Sequence, residues 1–306
     1  MFDIFTGVIL LYVFVAIGYS WRKFFAPNFQ EKEFTKLNVY FMQPLLVFWG
    51  FSQYDVTSQV LFSALAYFVL SIFLILVFQQ VAKILFKDPK NRAIYVMTSV
   101  LGNTGNLGIP MGLIIFGPES LPFTTALNLA NVINNSLFGV YGYSRGSFTI
   151  KKSLINILKF PLLWANIIAI TVNLLGIRFT GSVANFLEIA GHASVALQLM
   201  LLGVFLARGI GEHVELKLWI QAFVFKFIII TALGVGLVLF LDWGWMIGGI
   251  LLMELIVPPA VNNINLAALY DCYPFKVAKI VFVFTILAAV LVPGILLAIK
   301  PFLALS

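Results

Sequence analysis

Apolar residues run through this chain in long stretches, and polar positions gather in short intervals between them. A helix needs roughly 20 apolar residues to cross the hydrocarbon core of a bilayer. The pattern predicts ten such helices, at Ile4–Trp21, Leu37–Phe51, Gln59–Phe86, Ala93–Phe116, Pro122–Tyr143, Leu154–Leu175, Val183–Ala207, Leu218–Leu241, Trp245–Tyr270 and Val277–Ile299. The expected class is an all-α polytopic membrane protein.

The basic residues alternate with these spans. Arg22, Lys23, Lys32 and Lys36 follow span one; Lys83, Lys87, Lys90 and Arg92 surround the junction of three and four; Arg145, Lys151, Lys152 and Lys159 join five to six. Arg208 and Lys217 join seven to eight, and Lys276 and Lys279 join nine to ten. The other loops and the termini hold only Arg178 and Lys300, a bias of sixteen to two. Loops rich in Lys and Arg stay in the cytoplasm. Both termini are therefore expected outside it, and a miscounted helix would scramble the alternation.

Two spans are interrupted. The fourth carries GNTGNLGIP, Gly102 to Pro110, and the ninth carries ELIVPPAVNNINLAALYD, Glu254 to Asp271. Each holds an N-x-x-N, Asn103–Asn106 and Asn262–Asn265, at an offset of 159 residues. Nearly the same offset lays Gly18 on Gly176. The chain divides into two five-span halves, 1–145 and 153–306. Because five is odd, the second enters the membrane inverted. Matched broken helices in two inverted halves point to a transporter's binding site. A break facing lipid leaves backbone groups unpaired at several kcal/mol each, so breaks are tolerated facing protein or a polar cavity. Glycine and proline also serve as packing devices in membrane helices.

The composition agrees. The chain has 306 residues, 61% hydrophobic and 10% charged, against about 25% charged in soluble domains. No basic n-region precedes the first apolar run, which is read as a retained helix rather than a signal peptide. The net charge of +7 is spread singly among apolar runs, which excludes nucleic acid as partner. Cys272 is the one cysteine, so no internal disulfide forms. There is no GxxxxGK[ST], no HExxH and no Cys/His metal set. Neither a metal, a cofactor, an ATP-driven pump nor an enzyme is expected.

Ionisable groups inside a membrane each need a reason. His192, Lys226 and Glu254 lie about nine residues into spans seven, eight and nine, with Glu188 one turn from His192. At similar depth, the three could share one cavity. Glu254 either holds a sodium ion or proton or neutralises Lys226. Lys226 either attracts a carboxylate substrate or snorkels to the cytoplasm. His192 is a proton relay or a packing residue. Asn128, Asn131 and Asn135 occupy one helical face, expected to look inward or to bond neighbouring helices. The substrate-site set is Asn103, Asn106, Pro110, Asn131, Asn135, Pro258, Asn262, Asn263 and Lys226; the ion-coupling set is Glu254 and His192.

The segments GNTGNLGIPMGLIIFG (Gly102–Gly117), VPPAVNNINLAALYD (Val257–Asp271) and FTILAAVLVPGIL (Phe284–Leu296) resemble those of the auxin efflux carrier family, which includes the plant PIN-like carriers and bacterial malonate-permease-like proteins. The resemblance implies spans four and nine crossing at the midplane. It implies a scaffold of spans one, two, six and seven, a moving transport domain of the other six, small organic anions as substrates, and dimers formed through the scaffold. Only Ser144–Ser153 joins the halves, unlike the long loop of many plant carriers, which favours a bacterial permease of the inner membrane. The bile-acid sodium symporters share the broader architecture and place a sodium-binding Glu beside the second crossover, comparable to Glu254. The expected function is an elevator-type carrier of a small organic anion. A sodium-coupled symporter and a non-transporting membrane sensor are the alternatives.

Overall fold

The structure is a computed structural model that describes residues 2–28, 31–53, 55–144, 158, 161–207 and 214–303. Among these the named elements are all helical. Helices α1 (Phe2–Ser20), α2 (Glu31–Leu37), α3 (Gln43–Gln53), α4 (Ser58–Leu85), α5 (Pro89–Val100), α6 (Ile109–Phe116), α7 (Leu121–Asn134) and α8 (Val140–Tyr143) form the first half. The second half holds α9 (Pro161–Leu174), α10 (Gly181–Leu206), α11 (Leu216–Phe223), α12 (Ile230–Leu241), α13 (Gly244–Ile256), α14 (Asn262–Leu269) and α15 (Pro274–Leu303). Wide, π-type turns at Asn38–Met42, Asn135–Gly139 and Val224–Ile229 continue one helix into the next.

Among the described residues, five helical stretches are long and apolar enough to cross a membrane: Phe5–Phe25, Ser58–Leu85, Gly181–Leu206, Leu216–Leu241 and Pro274–Leu303. Their ends follow local chemistry. The Thr57 hydroxyl accepts from Val60 N at the start of α4. Asp88 accepts from Lys90 N at 3.0 Å, with Pro89 in the first turn of α5, where its missing N–H costs nothing.

In lipid, apolar contact between helices gains little hydrophobic free energy, so close approach and hydrogen bonds must hold the bundle together. Helices α1 and α10 cross at Gly18 and Gly203. A Cβ at Gly18 would overlap the Met200 backbone, and one at Gly203 would overlap Val15 O. The main buried cluster runs from Val8 and Leu46 through Ile94 and Leu199 to Leu252 and Phe284.

Polar contacts gather at the two ends of the bundle. At one end Lys90 pairs with Asp271 at 2.9 Å, Lys276 pairs with Glu215 at 3.3 Å, and Lys217 donates to Leu85 O. Those contacts bring together the junctions of spans three and four, seven and eight, and nine and ten. At the other end Arg178 pairs with Asp55, joining the junctions of spans two and three and six and seven. Arg145, Lys151, Lys152, Lys159, Arg208 and His213 lie outside the described residues.

Both broken spans differ from unbroken helices in a specific way. The fourth span is interrupted as its glycines suggest, but the interruption is short: only Leu101–Asn103 leaves the helix. Thr104–Gly108 closes into a wide turn because Asn103 O accepts from both Leu107 N, at 3.1 Å, and Gly108 N, at 3.0 Å. The second break is longer, from Val257 to Val261, between α13 and α14.

Candidate functional site

The two breaks meet. Asn103 N donates to Pro258 O at 2.7 Å, and Ala260 N donates to Leu101 O at 2.9 Å. The pair forms an isolated antiparallel bridge between Gly102 and Pro259. Each break thus supplies partners for backbone groups that the other frees, which removes much of the cost of breaking a helix in lipid.

Side chains supply further partners. Asn131 Nδ2 donates to Gly102 O at 2.7 Å and to Thr104 Oγ1 at 2.9 Å, and Tyr67 donates to Asn131 Oδ1. Thr104 in turn donates to Asn128 Oδ1. On the second break Asn263 Nδ2 donates to Ala260 O at 3.0 Å and Leu101 O at 3.3 Å, and its own oxygen accepts from Tyr143. Pro258 and Pro259 have no N–H, so the carbonyls four residues earlier, on Glu254 and Leu255, lose their helical donors. Leu255 O is taken by Lys226 Nζ at 3.0 Å.

The glycines of the first break act by clearing space. None of Gly102, Gly105 and Gly108 has a positive φ. A Cβ on Gly102 would meet Val257 at 2.9 Å, one on Gly105 would meet the Asn128 amide oxygen at 2.9 Å, and one on Gly108 would overlap the Glu254 carboxylate.

A cavity of about 370 Å³ opens beside the crossing. Eight asparagines line it: Asn38, Asn103, Asn106, Asn128, Asn131, Asn135, Asn262 and Asn265. Gln43 and Thr104 add polar groups, and Leu162, Leu201 and Phe205 add apolar wall. No carboxylate appears among the described lining residues, and the charged residue present is Lys36, which pairs with Glu33 at 2.9 Å in an exposed position. Asn262 Nδ2 bonds Asn135 Oδ1 across the cavity wall at 3.0 Å. Among the described residues the buried Asn103 amide nitrogen finds no hydrogen-bond partner.

Of the residues the sequence singled out, Asn103, Asn106, Asn131, Asn135 and Asn262 come together here. Asn128 joins them, so the inward-facing reading of its helix face describes the fold. Pro110, Pro258, Asn263 and Lys226 do not line the cavity. Pro110 is buried in the first turn of α6, Pro258 and Asn263 are spent on the crossing itself, and Lys226 is fully buried, not snorkelling. Glu254 is fully buried beside Gly108, and neither of its oxygens has a hydrogen-bond partner.

His192 needs a correction. It shares no cavity with Lys226 and Glu254; its exposed ring lies 4.7 Å from that of Trp49 and its Nε2 is 3.8 Å from Glu188. The cavity face of α10 is formed by Leu201 and Phe205. Nine residues, or two and a half turns, separate His192 from Leu201, which puts them on opposite sides of the helix. Equal depth said nothing about direction.

Several residues of the site stand outside the set the sequence offered. Asn265 completes the second N-x-x-N and Thr104 lies inside the first motif, yet neither is in that set. Tyr67 and Tyr143 were isolated hydroxyls in apolar runs, which is a usable signal. Asn38, Gln43 and Lys36 belong to the approach to span two, and nothing local announces that this segment folds over the crossing.

Comparison with known proteins agrees with a transport fold. The family described as membrane transport protein matches residues 3–146 and 144–296. An uncharacterized transporter of Methanocaldococcus jannaschii is 28% identical over 293 residues, covering 91% of this chain and 93% of that protein. This chain is a membrane protein by family and by its apolar helices, and it belongs to the membrane transport proteins of the auxin efflux carrier family.

Proposed function

We propose that this chain is a secondary carrier of a small organic anion, a carboxylate, with its site in the amide-lined cavity beside the crossed breaks. The observation that carries this is the chemistry of that cavity. Its lining has many amide donors and no carboxylate among the described residues. The helical segments beginning at Thr104 and at Asn262 both start at its wall, and helix N-termini carry partial positive charge. The buried, unpartnered amide of Asn103 offers a donor ready for an anionic oxygen. A cation would find no counter-charge there.

The rest of the proposal follows the sequence pattern. The chain forms ten spans in two inverted five-span repeats, with spans one, two, six and seven as scaffold and the others as the moving body of an elevator. It sits in a bacterial inner membrane, with both termini outside the cytoplasm and Ser144–Ser153 inside, as a homodimer through the scaffold. Lys36 lines the cavity and belongs to the Lys-rich side of the charge pattern, which supports an inward-facing state. Its substrate is exchanged with the cytoplasm in this state.

Flux decides it. Purified protein in proteoliposomes should accumulate a radiolabelled carboxylate from a panel and release it unaltered. Binding without flux would make it a sensor, and altered solute an enzyme. Cysteines introduced at Ser147 and Ser306, both outside the described residues, should label from opposite sides of the membrane. Labelling of both from one side overturns the topology.

A further inference from the structure

Two buried charges lie just beyond the cavity, and the anion site makes no use of them. Lys226, in the wide turn Val224–Ile229, and Glu254, in the last turn of α13, are both fully buried. Burying an unpaired charge is expensive, so each requires a partner. Lys226 Nζ finds the Leu255 carbonyl at 3.0 Å. That carbonyl is free only because Pro259 brings no N–H. It also stands at the C-terminal end of α13, where the helix dipole is negative. Among the described residues Glu254, one residue earlier, accepts no hydrogen bond on either oxygen and forms no direct ion pair; Lys226 is a cation whose field reaches it from the neighbouring carbonyl. From α4, the Tyr67 hydroxyl is the other titratable group facing this carboxylate.

The first break is shaped around this pair. A Cβ on Gly102 would stand 3.6 Å from Lys226 Nζ, and one on Gly108 would overlap the Glu254 carboxylate. A freed carbonyl and an adjacent, fully buried carboxylate supply oxygen ligands of the kind that hold a monovalent metal ion. Here an ammonium already sits on the carbonyl.

We propose that Lys226 is a tethered counter-cation: its ammonium sits on the freed Leu255 carbonyl, where a monovalent metal ion would otherwise balance the nearby buried Glu254 carboxylate, so the second break holds together without bound sodium. Removing the ammonium while leaving Glu254 converts the place into a site for an added cation.

The test is thermal melting of the purified full-length protein in choline, sodium and lithium chlorides of equal ionic strength. It does not depend on what the protein transports, so failed flux and failed melting are separate results. The parent should melt at the same temperature in all three salts. Lys226→Met should melt lower in choline and be raised saturably by sodium or lithium, on the order of 5 °C. Lys226→Gln serves as a second variant of the same kind. The double variant Lys226→Met/Glu254→Gln should melt near the parent and ignore the salt. A parent stabilised specifically by sodium overturns the proposal, because the metal site would then be present beside Lys226. So does a salt-indifferent Lys226→Met. If neither single variant can be purified in any salt while the double variant can, no free cation replaces the ammonium, and the proposal is equally overturned.

Discussion

The two breaks reach the same end by opposite chemistry. The first uses glycine. From Leu101 to Gly108 its backbone groups are all present, and what Gly102, Gly105 and Gly108 contribute is the absence of side chain where Val257, Asn128 and Glu254 come closest. The second uses proline. Pro258 and Pro259 remove donors and leave carbonyls to be satisfied from elsewhere, one of them by Lys226. One break is therefore a shape and the other a demand for positive charge. Placed back to back, the shape admits what the demand requires. A crossing of two glycine breaks would have no use for the buried lysine, and one of two proline breaks would have no room for it.

The contrast is testable, and the largest effect should come from the charge. Lys226→Met strands Glu254 in a dry site and should cost about 3–5 kcal/mol, read as a fall in melting temperature and in folded yield. Adding Glu254→Gln should restore most of it. An additive double variant would mean that the two charges do not depend on each other.

Next in size is the shape. Gly108→Ala puts a methyl group into the Glu254 carboxylate and should destabilise by about 1–3 kcal/mol. Gly236→Ala in α12, where a Cβ meets nothing within 4 Å, is the matched control and should be neutral or slightly stabilising. Equal melting of the two variants would remove close packing as the reason for glycine in the first break.

Asn131→Ala tests the polar stitch between the break and α7. It leaves Gly102 O without the side-chain donor that now lies 2.7 Å away, and should cost about 1–2 kcal/mol in stability together with a drop in flux. The smallest effect on the fold belongs to Asn106→Ala and Asn265→Ala, whose amides have no hydrogen-bond partner among the described residues and face the cavity. Stability should move by less than about 0.5 kcal/mol while the apparent KM for the carboxylate rises. Unchanged transport in both would take these two asparagines out of the substrate site.

The asparagines were legible before the structure because amides in an apolar span are rare enough to carry meaning, and their i, i+3, i+7 spacing fixed a face. Glu254 and Lys226 were legible as expensive residues, but not as neighbours. Twenty-eight residues separate them in sequence, and only the packing of span eight against the second break brings them together. His192 shows the reverse limit. Depth in a span can be counted along the chain, whereas the direction of a side chain depends on which neighbour the helix turns toward.

The sequence by itself determined that the chain lives in lipid, which loops carry the positive charge, and that two matched spans break. Each follows from the cost of placing polar or charged groups in hydrocarbon, a cost paid residue by residue and so written locally. Tertiary structure alone decided which backbone groups pair where the breaks cross, which asparagines open onto a cavity and which are spent on the backbone, and that an ammonium fills the carbonyl Pro259 sets free. Those are matters of which groups satisfy which. In a medium that offers no water as a default partner, that assignment exists only once the helices have packed.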